Sequence, residues 1–331
     1  MHASRPGRKT LEPPSPSETA RLPFGGVRRA TFHDDRHMLV LLLVLAIPDT
    51  SETFLLPVAH AESLAITVYG SGERTVIFLP GLFGSSFSYR NVMESLGDAG
   101  YRSLGIEPLG LGSSSRPDDA NYSLTAQADR IVAAMDSLSV SSAIFVAHSL
   151  GASIAMRVGY RHPTRVRGIV SLEGGAGESA TTPGFRRWIR FAPVIRMLDG
   201  RRIMQYMILR SMKKVSFDES WVSEQTVRSY TVGPARDLRA TLDAYRGMAR
   251  SEEPELLRDH LTELRCPVRL LVGQTEHGSG PPGDEVDLLV ARLPLFTIDT
   301  VSASGYFIQE ERPDVVVTAV TDVENQGSCA G

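Results

Sequence analysis

The spacing of apolar positions changes repeatedly along this chain. Leu64–Tyr69 alternates and is closed by Gly70-Ser71-Gly72, and Thr75–Leu79 is a short apolar run stopped by Pro80-Gly81. Ser103–Ile106, Ala143–Ala147, Gly168–Leu172, Val268–Val272 and Phe296–Val301 read as further short strands. Between them Tyr89–Ala99, Leu124–Leu138, Leu150–Arg161 and Pro313–Val323 carry apolar residues at helical spacing. This alternation predicts an α/β fold, a mostly parallel doubly wound sheet with helices on both faces. Gly177–Leu264 interrupts the pattern: it is helical in character, rich in Met and Arg, and lacks strand alternation. It reads as a helical cap inserted over the sheet. The expected plan is an N-terminal segment at 1–61, a core of 62–176 and 265–323, a cap at 177–264 and a tail at 324–331.

The N-terminal segment has a different composition. Residues 1–37 are rich in Pro, Arg and Ser without apolar periodicity, which predicts disorder. Met38–Ile47 is an unbroken run of ten apolar residues, too short to cross a bilayer comfortably but suited to the h-region of a signal peptide. Arg28, Arg29 and Arg36 would supply its positive flank and Ala59-His60-Ala61 its cleavage site, whereas Asp34 and Asp35 fit poorly. That reading places the protein outside the cytoplasm, secreted or periplasmic. The competing one makes Phe54–His60 an edge strand of a cytoplasmic protein.

Composition narrows the functional classes. The 331 residues are 42% hydrophobic and 22% charged, enough to bury a sizeable core. With 35 Lys and Arg against 38 Asp and Glu, no global basic excess points to nucleic acid. Cys266, before an apolar strand, reads as a core residue and Cys329 lies in the tail, so no bridge is expected. No Walker motif, dinucleotide fingerprint or metal-ligand cluster is present, and no cofactor is implied.

The richest local signal is Ile144-Phe145-Val146-Ala147-His148-Ser149-Leu150-Gly151-Ala152, where a strand runs into a helix through small residues flanking a serine. This is the context of a nucleophile elbow. From about Leu64 to Val323 the chain resembles the α/β-hydrolase superfamily, with Ala147 replacing the first Gly of GxSxG. Phe78-Leu79-Pro80-Gly81-Leu82-Phe83-Gly84-Ser85-Ser86 resembles the family's HGxxGSS, with Pro80 for His. The resemblance implies Ser149 as nucleophile and the backbone N–H groups of Leu82 and Leu150 as oxyanion hole. Glu107-Pro108-Leu109-Gly110-Leu111-Gly112-Ser113-Ser114 resembles the family's DxxGxGxS loop and reads as structural.

The acid and base depart from the pattern. Val272-Gly273-Gln274-Thr275-Glu276-His277 puts Glu276 in the acid position, and Gly305-Tyr306-Phe307 puts Tyr306 where the family carries its catalytic His. A phenol with an ordinary pKa near 10 is protonated at neutral pH and does not accept the serine proton as imidazole would. His277 is the candidate substitute base, and Glu173, after Gly168–Leu172, is an alternative acid. His148 inside the elbow is expected to pack, while His162 and His260 are expected in solvent.

The cap carries the last signal. From Gly184 to Val215 there are seven Arg and two Lys against Asp199 alone, interleaved with apolar residues at amphipathic spacing around Pro193 and Gly200. One reading is a solvated outer face over an apolar stripe; the other is a lid meeting an anionic membrane or substrate. Two functions are therefore expected to compete. One is a serine hydrolase of the carboxylesterase or lipase kind acting on a small apolar ester with a weakened base. The other is a non-catalytic pseudoenzyme binding a small apolar ligand or a partner in the capped pocket.

Overall fold

The structure, a computed structural model, describes residues 52–181, 183–189 and 200–326. Its sheet has eight strands: β1 (Glu52–Ala59), β2 (Glu62–Tyr69), β3 (Arg74–Leu79), β4 (Tyr101–Glu107), β5 (Ala143–His148), β6 (Val166–Leu172), β7 (Val268–Gly273) and β8 (Phe296–Val301). Their order is β1-β2-β4-β3-β5-β6-β7-β8. Only β2 runs against its neighbours β1 and β4; the other pairings are parallel.

The central strands are apolar throughout because both faces of the sheet are covered. Ile77, Leu79, Phe145, Ala147 and Ile169 point into one core with α2 (Leu124–Ser137) and α3 (Leu150–Arg161). Their alternates Val76, Phe78, Ile144, Val146 and Val170 point into the other, with α1 (Arg90–Asp98) and the C-terminal helix Pro313–Asn325. Cys266 is a free thiol buried in the first core, whereas Cys329 lies outside the described residues.

Between β6 and β7 the described residues form helices: α4 (Pro183–Trp188), α5 (Gly200–Val215), α6 (Glu224–Tyr230), α7 (Val232–Arg236), α8 (Leu238–Arg250) and α9 (Leu257–His260). Ser223 caps α6 through Thr226 N–H at 3.0 Å, and Asp237 caps α8 through Ala240 N–H at 2.9 Å. Three short elements complete the chain: α10 (Gly283–Arg292), which the sequence reading did not anticipate, α11 (Ile308–Glu311) and α12 (Pro313–Asn325).

A buried ionic knot fixes the roots of the insertion. Arg157 on α3 is fully buried and pairs with Glu178 at 2.9 Å, just inside the start of the insertion, and with Glu253 at 3.6 Å, shortly before its last helix α9. Both acids are also held by helix N-termini. Glu178 accepts the N–H groups of Leu257 and Arg258, and Glu253 those of Leu124 and Thr125. A buried cation is tolerable only when so compensated.

One boundary needs correction. β1 falls inside the segment 1–61 expected to be disordered, because Phe54, Leu56 and Val58 pack on the core while Leu64–Val68 offers an open edge to pair with. Ala59-His60-Ala61 is the turn of this hairpin, with Ala61 at φ 59°. Residues 1–51, with the signal-like run, and the segment around Pro193 lie outside the described residues. A chain beginning at Glu62 would lack β1, uncovering Leu64 and Ile66 and leaving the β2 edge unpaired. Thermal melts should show a lower Tm and light scattering more self-association than for the full chain. Identical melts would mean that β1 adds nothing to stability.

Candidate active site

β5 turns into α3 within a single residue. Ser149 sits at φ 51° and ψ −117°, a conformation costing on the order of 1–3 kcal/mol that must be imposed by its surroundings. Two contacts impose it. The Ser149 N–H bonds the carbonyl of Leu172 at 2.9 Å, and Gly151 runs so close to β3 that a Cβ there would lie 2.4 Å from the Leu79 carbonyl oxygen. Small residues are thus required around the serine, and the family's glycine at 147 is replaced by Ala without exposing it.

Leu150 is the first residue of α3, so its N–H has no intrahelical partner. Opposite it, Gly81–Gly84 turns tightly through a Gly84 N–H to Gly81 carbonyl bond of 2.9 Å, with Phe83 at φ 69°. Leu82, Ser149 and Leu150 together line one cavity of about 810 Å³. Its apolar wall comes from Phe83, Phe185, Met204, Ile208, Met212 and Phe307. The Glu107 loop is structural, as expected. The buried Glu107 carboxylate accepts the N–H groups of Ser86 and Ser113, and burial raises its pKa despite them.

Tyr306 stands beside Ser149. Its phenol interacts with the Ser149 hydroxyl, and burial pushes its pKa up to about 12, so it is a neutral donor at physiological pH. The loop that carries it is tied to the cap: Tyr306 N–H bonds the Val215 carbonyl at 2.9 Å, and a Cβ on Gly305 would lie 2.3 Å from that oxygen. Glu310, just beyond, pairs with Arg90 at 2.7 Å and accepts the Tyr230 hydroxyl of α6 at 2.7 Å. No motif pointed to this second clamp.

The structure rearranges the expected acid and base. Glu276 is exposed and enters no ion pair or side-chain hydrogen bond among the described residues. The buried acid is Glu173, 1% exposed, at the end of β6 with φ 52°. Its Oε1 accepts the Gly273 N–H and faces His277 Nε2 at 3.3 Å, while Oε2 is buried without a partner among the described residues. Burial raises its pKa to about 7. The loop after β7 turns inward one residue later than the motif implies, bringing His277 rather than Glu276 to the interior.

His277 is not wired to Ser149. Nε2 is engaged by Glu173, Nδ1 accepts the Ser279 N–H at 3.1 Å, and the ring packs edge-on against Tyr306 with centroids 5.4 Å apart. Burial lowers its pKa. His148 packs, as expected: it is buried, stacks on Phe307, and donates from Nε2 to the Tyr306 carbonyl at 3.0 Å, its pKa lowered to about 4 by burial. His260 is half-buried rather than solvated, stacked on Tyr160 at 4.5 Å and bonded to Glu263 at 2.9 Å.

Comparison with known proteins agrees with this geometry. A family profile described as alpha/beta hydrolase fold matches residues 74–203. The chain is 23% identical over 253 residues to the uncharacterized hydrolase YugF of Bacillus subtilis, covering 76% of this chain and 90% of the relative. It is 32% identical over 111 residues to an epoxide hydrolase of Caballeronia sordidicola, a match spanning 33% of each. Among solved structures, a thermophilic esterase from Thermogutta terrifontis superposes with a TM-score of 0.66 at 18% identity, over 84% of this chain and 98% of that one. The fold is that of the α/β hydrolases.

Glu173 generates a prediction about pH. Because its folded pKa lies near 7, above the ordinary carboxylate value, the native state binds more protons than the unfolded chain between about pH 4.5 and 7. Its contribution to stability is full below that window and is lost as pH rises through 7. Tm measured across pH should therefore fall less steeply for Glu173→Gln than for the parent, with the variant gaining most at pH 8. Parallel curves would show that the carboxyl is not held in this way.

Proposed function

We propose that the chain is a serine hydrolase of the esterase kind, with Ser149 as nucleophile and a weakened base, acting on a small apolar ester. One observation carries the reading: Ser149 is held in a strained elbow at the N-terminus of α3, opening into a large apolar cavity. An ester carbonyl placed there would direct its oxygen to the N–H groups of Leu82 and Leu150 as the Ser149 Oγ adds to the carbon. The relatives carrying hydrolase names and the esterase of the same fold support this chemistry.

Proton transfer is the weak step. General-base catalysis contributes roughly 10²–10⁴-fold, and a neutral phenol does not supply it. Tyr306 serves instead as a relay: its oxygen accepts the proton that Ser149 Oγ releases on adding to the carbonyl while its own proton passes to the departing alkoxide, so the phenol ends neutral. The unpartnered Glu173 Oε2 is the group an imidazole at position 306 would bond, so the acid half of a triad is in place without its base.

The neutral Tyr306 also favours a second reading, a non-catalytic chain that binds an apolar ligand in the same cavity. Tyr306→His separates the two. For the hydrolase, a fluorophosphonate probe should label the parent slowly at Ser149, and Tyr306→His should raise kcat/KM on p-nitrophenyl esters by about 10²-fold or more. Adding Glu173→Gln should cancel the gain, and adding Glu276→Gln should not. A folded Tyr306→His protein that is neither labelled nor active would leave ligand binding as the function.

A further inference from the structure

We propose that the outer face of α5 docks on an anionic phospholipid surface, so that the cavity beneath it takes esters dissolved in that surface. The second half of this statement rests on the hydrolase reading; the first does not. At 100° per residue, Arg202, Lys213, Tyr206, Arg210, Lys214 and Met207 fall within an arc of about 140° on α5. The opposite side of the helix presents Met204, Ile208, Met212 and Val215 to the cavity. One helix therefore roofs the cavity and shows water a cationic face.

That face is not a plain solvated one. Tyr206 is 58% exposed, Met207 42% and Phe217, just past the helix end, 55%. Arg210 lies over the Tyr206 ring, 5.9 Å from its centroid, which keeps the cation beside the aromatic ring. Such a mixture of cations with amphipathic and apolar tips suits the headgroup region of a bilayer. Met207 also lines the cavity, and so stands at the rim between it and the exterior.

Charge complementarity selects the partner. The described residues of 183–215 hold Arg186, Arg187, Arg201, Arg202, Arg210, Lys213 and Lys214 and no acid. Among the described residues the carboxylates nearest in sequence to α5 follow it: Glu219 stands 3.9 Å from Lys213, and Asp218 bonds Ser220. Arg186 is held back by Ser179 and Thr181. In a chain of formal charge −3 this concentration is a local reversal of sign, directed at an anionic surface. No helix among the described residues is long and apolar enough to cross a membrane, so contact through this face would be peripheral.

Co-sedimentation with phosphatidylcholine vesicles, with and without phosphatidylglycerol, tests this. The parent should bind only the anionic vesicles at low salt and release at high salt. Arg210→Gln/Lys213→Gln/Lys214→Gln should weaken binding about 10²-fold, since each cation near such a surface is worth roughly fivefold. Tyr206→Ser should weaken binding at low salt as well, through loss of the apolar contribution, while leaving its salt dependence unchanged. Unchanged melts and unchanged fluorophosphonate labelling would show both variants intact. No binding of the parent to anionic vesicles at low salt, full binding by the triple variant, or equal affinity for a DNA duplex would overturn the proposal. Vesicle binding does not need the Ser149 hydroxyl, so absent labelling with binding retained would defeat the hydrolase reading alone.

Discussion

Everything at the site follows from β5 having to become α3 in one residue. A parallel sheet leaves no room for a looser turn there: β3 lies close on one side and β6 on the other, and both hold the turning residue. The bond from Ser149 N–H to Leu172 and the passage of Gly151 beneath Leu79 convert sheet cohesion into local strain. The core residues of β3, β5 and β6 on both faces sustain it. The same turn points the first N–H of α3 outward and lifts the serine above the strand ends, where the helical insertion closes over it.

Burial then decides the chemistry of the groups around the serine. His148, His277, Glu173 and Tyr306 are all shifted toward their neutral forms by loss of water, and no described cation lies among them to reverse the trend. These four groups next to Ser149 thus add little charge to the apolar part of the cavity, whose other charged lining residues are Glu178, Arg186 and Glu285. Tyr306 and Glu173 illustrate how position and environment combine. Burial holds the phenol beside Ser149 in its neutral form, and Glu173 keeps Oε2 without a partner among the described residues.

How much of this was legible beforehand depended on whether the signal was local. The central strands, the elbow and the tyrosine at 306 are short-range patterns, since two-residue alternation and a strand running into a helix need no knowledge of distant chain. β1 was ambiguous because Phe54–Ala59 has apolar character either as an export site or as a strand, and only the open edge of β2 decides between them. Which of the two acids, Glu276 or Glu173, lies buried was open for a related reason. The motif after β7 aligns Glu276, but which of two adjacent residues turns inward depends on how that loop meets β6, a contact between positions 104 residues apart in the His277–Glu173 pair. The clamp of Glu310 on Arg90 and Tyr230 likewise joins three segments that no spacing connects.

The knot at Arg157 has a consequence for how the molecule comes apart. Its two carboxylates stand about 75 residues apart in the chain, so the excursion between them leaves and returns at one spot on the core. An excursion pinned at a single stem is a closed loop in the polymer sense. It can loosen, be lengthened or be exchanged without changing the separation of the strands it connects. The core therefore tolerates variety above the sheet, while damage at the stem is felt simultaneously by α2, α3 and α9, whose ends the same two carboxylates hold.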